Sequence, residues 1–130
     1  AQPFIYHVTV RNPETGTAVR IKGLIDDGAM VNVVDADLWP QLVNRLGDAR
    51  ASARNLRMAN GHVVASQGRW TGEFDFEGVN VRSSFEIFPS KGAWSFLIGK
   101  PMLEALRAQH DYEADTIRVR GGGRSAVVHN

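Results

Sequence analysis

Apolar side chains recur at every second position along much of this 130-residue chain, and that period of two constrains the fold more than any other feature. The alternation is clearest from Phe4 to Val10 and again from Ala18 to Ile25. Because successive side chains of a strand point to opposite faces, each stretch predicts a strand. Residues 13–17 between them are turn formers, so the two strands are expected to pair as a hairpin.

Two helices interrupt this pattern. The first is expected to end near Leu46, with Asp35 and Asp37 as candidate N-terminal caps and Gly47 as its stop. The second is expected to begin at Pro101, since proline is favoured at the first helical position. Further strands are predicted at residues 31–34, 55–58, 62–65, 69–76, 79–88, 96–99 and 116–119. The chain is therefore predicted to be mostly β.

Length and charge favour one compact domain without a polyanionic partner. We expect the domain to span residues 1–120, with a flexible tail or a last strand over residues 121–130, which begin with three glycines. The net charge is +1 and charges of both signs are interspersed, which argues against binding to nucleic acid or a membrane surface. No apolar run approaches the roughly 18 residues that span a bilayer.

The chain contains no cysteine, which excludes a disulfide framework and a thiolate metal site. Its four histidines are scattered without ligand spacing, so neither a metal nor a cofactor is expected. An intracellular, cytoplasmic location is expected from the lack of cysteine and of targeting signals. The chain is also expected to be one domain cut from a longer protein.

Residues 24–29, Leu-Ile-Asp-Asp-Gly-Ala, carry the most chemistry. Two apolar residues lead into Asp26, and Gly28 then lets the backbone turn sharply. Alone, an Asp-x-Gly triplet is equally typical of a simple turn. About seventy residues downstream, however, a second apolar triplet ends at Gly99 and leads into the predicted C-terminal helix. Between the two lies a predicted hairpin with an Asn60-Gly61 turn.

This layout resembles the retropepsin family, the single-domain aspartic proteases of retroviruses and long-terminal-repeat retrotransposons, over roughly residues 4–120. The family motif is two apolar residues, Asp, Thr or Ser, Gly and Ala. The active-site loop matched to it contains Asp26, Asp27, Gly28 and Ala29. The hairpin tip that resembles the family's flap contains Ala59, Asn60, Gly61 and His62. The second loop contains Leu97, Ile98 and Gly99.

The resemblance implies a closed β-barrel with a flap hairpin and a C-terminal α-helix, assembled as a two-fold homodimer. It also implies an aspartic endopeptidase that acts on extended polypeptides, including its own polyprotein. Peptide hydrolysis by carboxylates needs two of them sharing a proton. This chain has one Asp-x-Gly, so a second Asp26 must come from a two-fold related copy.

Asp27 departs from the family, which has Thr or Ser there to brace the two loops across the dimer axis. A hydroxyl both donates and accepts hydrogen bonds, whereas an ionised Asp only accepts them. Three outcomes are open: activity only at low pH, a reorganised loop in which Asp27 turns elsewhere, or a weak dimer that survives as an inactive binding module. We favour the first or the third.

Two further positions depart from the retroviral pattern. Met30 and Lys100 stand where retroviral members often have an acidic residue and its arginine partner, so that ion pair is missing. Trp70 and His62 are weaker candidates for the substrate pocket. The competing function is a catalytically impaired protease fold used for dimerisation or peptide binding. A small β-barrel of unrelated function is the third alternative.

Overall fold

The computed structural model of the chain describes residues 2–58 and 60–130, which form eleven strands and two helices. The strands are β1 (Phe4–Arg11), β2 (Ala18–Ile25), β3 (Val33–Asp35), β4 (Asn55–Arg57), β5 (Val63–Ala65), β6 (Arg69–Phe76), β7 (Val79–Phe88), β8 (Phe96–Ile98), β9 (Gln109–Asp111), β10 (Thr116–Gly121) and β11 (Arg124–His129). The helices are α1 (Trp39–Leu46) and α2 (Lys100–Ala105).

Six strands close into a barrel in the order β1-β2-β8-β3-β7-β6, which confirms the predicted closed, mostly β architecture. Its hairpins β1-β2 and β6-β7 are antiparallel, but β2 and β8 run parallel with Ile25 opposite Ile98. Parallel neighbours end at the same edge of a sheet. The loops that follow β2 and β8 therefore start side by side, which brings together two segments seventy residues apart in sequence.

Alternate barrel residues point inward to form the core, as the period of two predicts. Phe74, Phe85 and Phe96 are at most 1% exposed and pack edge to face or tilted against one another. Trp70 joins this cluster, and its indole N–H donates to the carbonyl of Leu46 at 2.8 Å. Its proposed place in a substrate pocket is therefore wrong, because the ring is needed inside the barrel.

The first helix begins differently from the prediction. Gly47 does terminate α1, but the residue at its N-terminal cap position is Leu38, without a side-chain cap. Asp35 instead accepts a hydrogen bond from the amide of Ser90 at 3.0 Å, so its carboxylate ties β3 to the loop after β7. The prediction of Asp caps failed because an acid near a helix start can equally serve a distant amide.

A second sheet, in the order β11-β10-β9, packs on the barrel through Ile117, Val119 and Val128. The sequence predicted its middle strand and offered its last strand as the alternative to a flexible tail. Residues 124–129 form β11, so residues 121–130 hold that last strand, and Gly122 and Gly123 form the turn before it. In the described part of the chain, neither helix is long and apolar enough to cross a membrane.

Candidate active site

The loop after β2 presents Asp26 at the protein surface. Its amide donates to the carbonyl of Ile98 at 2.9 Å, and its carbonyl accepts from the amide of Ala29 at 3.1 Å, which closes a tight turn. One carboxylate oxygen, Oδ1, accepts a hydrogen bond from the amide of Gly28 at 2.9 Å. The carboxyl group is thus exposed to solvent but held in one orientation by its own loop.

Gly99 lies directly against this loop. A Cβ added at Gly99 would stand 2.4 Å from the carbonyl oxygen of Val31 and 2.7 Å from that of Ala29. The next amide, of Lys100, donates to the carbonyl of Ala29 at 2.8 Å. No side chain fits at position 99, because two backbone segments meet there.

Asn32 fastens the two loops to the barrel from the buried side. It is 3% exposed, and its Oδ1 accepts from the amide of Gly99 at 2.9 Å. Its Nδ2 donates to the carbonyl of Ser84 at 3.0 Å and to the hydroxyl of Ser83 at 3.3 Å. The sequence analysis missed this role. The available signal was one amide side chain inside the apolar run Val31-Asn32-Val33-Val34, which requires hydrogen-bond partners if buried.

The predicted hairpin is present as β4 and β5, a two-stranded sheet of its own. Arg57 pairs with Val63, and the tip is closed by a bond from the amide of Met58 to the carbonyl of His62 at 2.7 Å. The side chain of Asn60 accepts from the amide of His62 at 3.0 Å. Gly61 takes a positive φ of 85°, as this turn requires. Ala59, also predicted for the tip, lies outside the described residues.

Glu86 anchors the chain at the base of this hairpin. Its carboxylate is buried and accepts from Ser52 Oγ at 2.5 Å and Arg69 Nε at 2.6 Å. Burial by itself would raise the pKa of Glu86, but the hydrogen bonds from Ser52 and Arg69 outweigh it, and the pKa is lowered. The segments entering and leaving the hairpin are therefore held by one charged residue of β7.

Asp27 accepts a hydrogen bond from Tyr112, whose hydroxyl donates to Asp27 Oδ2 at 3.2 Å. The hydrogen bond to Asp27 and its negative charge raise the pKa of the Tyr112 phenol. This contact fits the outcome in which Asp27 engages another group, while activity only at low pH and a weak dimer, the two outcomes that we favoured, stay predictions. Sequence reasoning missed Tyr112, because nothing local marks it as a partner of a residue 85 positions away.

A cavity of about 730 Å³ opens beside the loop. Its apolar wall includes Phe4, Ile25, Leu103 and Ile117, and its polar lining includes Asp26, Asp27, His110 and Tyr112. The structure thus brings Asp26, Asp27, Gly28 and Ala29 together with Ile98 and Gly99. Leu97 is half-buried in β8, opposite Leu24 and Val33.

Met30 and Lys100 flank the loop without an ion pair of the retroviral kind. The side chain of Met30 is 70% exposed, and in residues 2–58 and 60–130 the Arg69–Glu86 pair is the only salt bridge. The link between the two loops is made instead by the amide of Lys100. In this chain, backbone hydrogen bonds and the side chain of Asn32 join the two loops.

No protein-family model matches the chain. Among solved structures, it is similar to the retroviral protease-like domain of Ddi1 from Leishmania major, with a TM-score of 0.68 and 14% identity over 98% of this chain and 93% of that one. It is also similar to a retropepsin-like aspartic protease from Rickettsia conorii, with a TM-score of 0.53 and 17% identity over 85% of this chain and 88% of that one. The resemblance predicted from the motifs is confirmed as a likeness of fold.

Proposed function

Because the chain has a retropepsin-like fold, we propose that it is an aspartic endopeptidase in which two copies each contribute Asp26. One observation carries the proposal. The Asp26 carboxylate stands exposed in a tight loop, with Oδ1 fixed by the amide of Gly28 and the loop wedged against Gly99. That is the geometry a carboxyl group needs to meet a second, equivalent carboxyl group.

In the proposed reaction, the two Asp26 carboxyl groups share one proton and bind a water molecule between them. The ionised carboxylate takes a proton from the water, and the water oxygen attacks the carbonyl carbon of the peptide bond. The protonated carboxyl group gives its proton to the carbonyl oxygen. Collapse of the tetrahedral intermediate with protonation of the amide nitrogen breaks the C–N bond and releases an amine and a carboxylic acid.

A homodimer supplies the second carboxyl group. The chain holds one Asp-x-Gly, and the other acid of the loop, Asp27, is engaged by Tyr112. An isologous contact places the same loop of both copies at the two-fold axis. The exposed side chain of Met30, next to this loop in the chain, favours burial of the loop by a second copy.

The substrate is proposed to be an extended polypeptide, including the chain's own precursor. An extended peptide binds through its backbone like an added strand, while alternate side chains enter pockets. The hairpin of β4 and β5 is the proposed cover, with Asn60, Gly61 and His62 at its tip. Anchoring at Glu86 and a short, separate sheet suit a segment that moves as a unit.

A second candidate function is peptide binding or dimerisation without catalysis. The observation that favours it is Asp27, an acid where the family has a hydroxyl residue. Two more carboxylates near the dyad add negative charge, which opposes both formation of the dimer and ionisation of the Asp26 carboxyl group that acts as general base.

The test compares wild type with Asp26→Asn, which keeps the Oδ1 acceptor for Gly28 and so should fold normally. Both are incubated with a diverse peptide pool over about pH 3 to 7, and new termini are read by mass spectrometry. We expect the variant to lose at least about 1,000-fold of activity, since every copy carries Asn in place of Asp26 and both carboxyl groups of the dyad are removed. The matched control is Asp37→Asn, an exposed acid outside the site, which should retain full activity.

Cleavage by both wild type and Asp26→Asn would assign the activity to another site or a contaminant. No cleavage by wild type, in a sample shown by sedimentation to be dimeric, would favour the binding module instead.

A further inference from the structure

We propose that Tyr112 is a positioning residue for the active-site loop, holding Asp27 from within the same chain. The inference rests on the proposed protease function and extends it to a residue outside the motif. In this chain the donor that an acid at position 27 lacks comes from the phenol of Tyr112. The geometry that carries the proposal is the 3.2 Å hydrogen bond from the Tyr112 hydroxyl to Asp27 Oδ2.

The Tyr112 ring is held where it can make this contact. It stacks on the ring of His110 with centroids 3.9 Å apart and planes 27° apart. His110 in turn meets Phe4 edge to face at 5.4 Å, and its backbone pairs with Ile117 in the second sheet. The Tyr112 ring is therefore positioned through His110, which contacts the N-terminal strand and pairs within the C-terminal sheet.

The turn after β9 is also locked. Asp111 Oδ1 accepts from the amides of Glu113 at 3.1 Å and Ala114 at 3.0 Å, directly beyond Tyr112. This leaves the tyrosine at the end of a strand with little freedom of its backbone. The donor is consequently preorganised, and little side-chain entropy is lost when it engages Asp27.

The pair supplies a hydrogen-bond donor to Asp27 under conditions in which its carboxyl group is ionised. Asp27, when ionised, can only accept hydrogen bonds, so two such residues cannot brace each other. A phenol is a donor throughout the acidic and neutral range, and the raised pKa of Tyr112 keeps its proton in place well above neutrality. The titratable groups that line this cavity are Asp26, Asp27, His110 and Asp115, besides Tyr112 itself. Turning Asp27 to the phenol leaves Asp26 to meet its counterpart.

The first experiment reads the contact without using activity. The chain has two tyrosines, so labelling with ¹³C at Cζ gives two NMR signals, assigned by Tyr112→Phe and Tyr6→Phe. Burial raises the pKa of Tyr6 to about 12, and its signal serves as the internal control. We expect Asp27→Asn to lower the Tyr112 midpoint towards the ordinary value of 10.0 and to leave the Tyr6 midpoint unchanged.

The second experiment measures kinetics in the proposed dimer of the 130-residue chain. Tyr112→Phe keeps the ring and its stack on His110 but removes the donor, and should lower kcat about tenfold with KM little changed. The matched control is Tyr6→Phe, which also removes a tyrosine hydroxyl bonded to a carboxylate, that of Glu77 at 3.1 Å, and should retain full activity. In an Asp27→Thr background, Tyr112→Phe should cost nothing, because a threonine hydroxyl supplies its own donor.

The outcomes separate the inference from the function on which it rests. A Tyr112 midpoint that ignores Asp27→Asn would refute the contact, and an unchanged kcat in Tyr112→Phe would refute the positioning role. The same tenfold loss in the Asp27→Thr background would also refute it, since a merely structural tyrosine acts regardless of residue 27. If the wild type is inactive but Asp27→Asn shifts the Tyr112 midpoint, the protease function and the positioning role of Tyr112 are overturned, while the contact between Tyr112 and Asp27 is supported.

Discussion

The active-site loop is held in contrasting ways on its two sides. On the buried side, Asn32 makes three hydrogen bonds and Gly99 permits backbone contact with no space to spare. On the open side, a single hydrogen bond joins Asp27 to Tyr112, whose side chain is 72% exposed. The hydrogen bonds of Asn32 are shielded from water, whereas water competes for both partners of the bond between Tyr112 and Asp27.

This difference separates the contacts that are needed for the site to fold from the contact that is expected to tune its activity. A buried donor or acceptor that loses its partner costs its full desolvation free energy, so the contacts of Asn32 are a condition for folding. An exposed hydrogen bond gives little net stability, because water replaces either partner. We therefore expect changes on the buried side to lower the free energy of unfolding, and changes on the open side to alter kcat alone.

The sharpest way to break the buried side is Gly99→Ala. The new methyl group would overlap backbone oxygen atoms of Val31 and Ala29, which cannot move without pulling the Asp26 loop with them. We expect a loss of about 3 kcal/mol or more in the free energy of unfolding, measured by urea denaturation, together with loss of peptide cleavage.

The control for Gly99→Ala is Gly121→Ala. Its added Cβ would meet a side-chain methyl of Val79 at 3.1 Å, which can shift by a few tenths of an ångström. A loss as large as that at Gly99 would show that the damage comes from glycine replacement in general and would refute the close-approach argument.

The next effect in size belongs to Asn32→Leu, which keeps the volume and removes all three hydrogen bonds. The amide of Gly99 and the carbonyl of Ser84 would be left buried, so we expect about 2 to 3 kcal/mol of destabilisation. The control is Asn44→Leu on the exposed face of α1, which should change stability little. Equal stability of wild type and Asn32→Leu would mean that the buried side is held by packing alone.

The length and regularity of each strand explain how much of the fold could be predicted from the sequence. Strands with a clear period of two were located well, and Ala18–Ile25, Arg69–Phe76 and Val79–Phe88 match their predicted bounds. The strand Gln109–Asp111 was not predicted, and Arg124–His129 was expected only as one of two alternatives, a flexible tail or a last strand. The first is too short to show a period, and the second follows glycines that are also typical of a loose tail.

For the site, local motifs located Asp26 and Gly99, but its long-range partners escaped prediction. Gly99 lies against the Asp26 loop because the two loops meet there, and the spacing of the two motifs in the sequence can suggest such a meeting. The bond from Tyr112 to Asp27 depends on the path of the chain through β9, which leaves no trace in the sequence around either residue. Contacts set by topology alone are the ones that a single sequence conceals.

The smallest expected effect is that of replacing Glu86, a buried carboxylate that accepts a hydrogen bond from the half-exposed Arg69. Its pKa is lowered from the ordinary value of 4.5, so the ionised form favours the folded state. That stability is fully present above about pH 4.5 and is lost as the pH falls through the lower, folded-state pKa. Glu86→Gln, which removes the charge, should therefore destabilise the protein by about 1 kcal/mol at pH 7 and by less near pH 3. Unfolding free energies from urea titrations at both pH values measure this, with Glu104→Gln at an exposed position of α2 as the control.

An equal difference in unfolding free energy between wild type and Glu86→Gln at both pH values would contradict the prediction. It would show that Glu86 holds the base of the hairpin by packing and not by its charge.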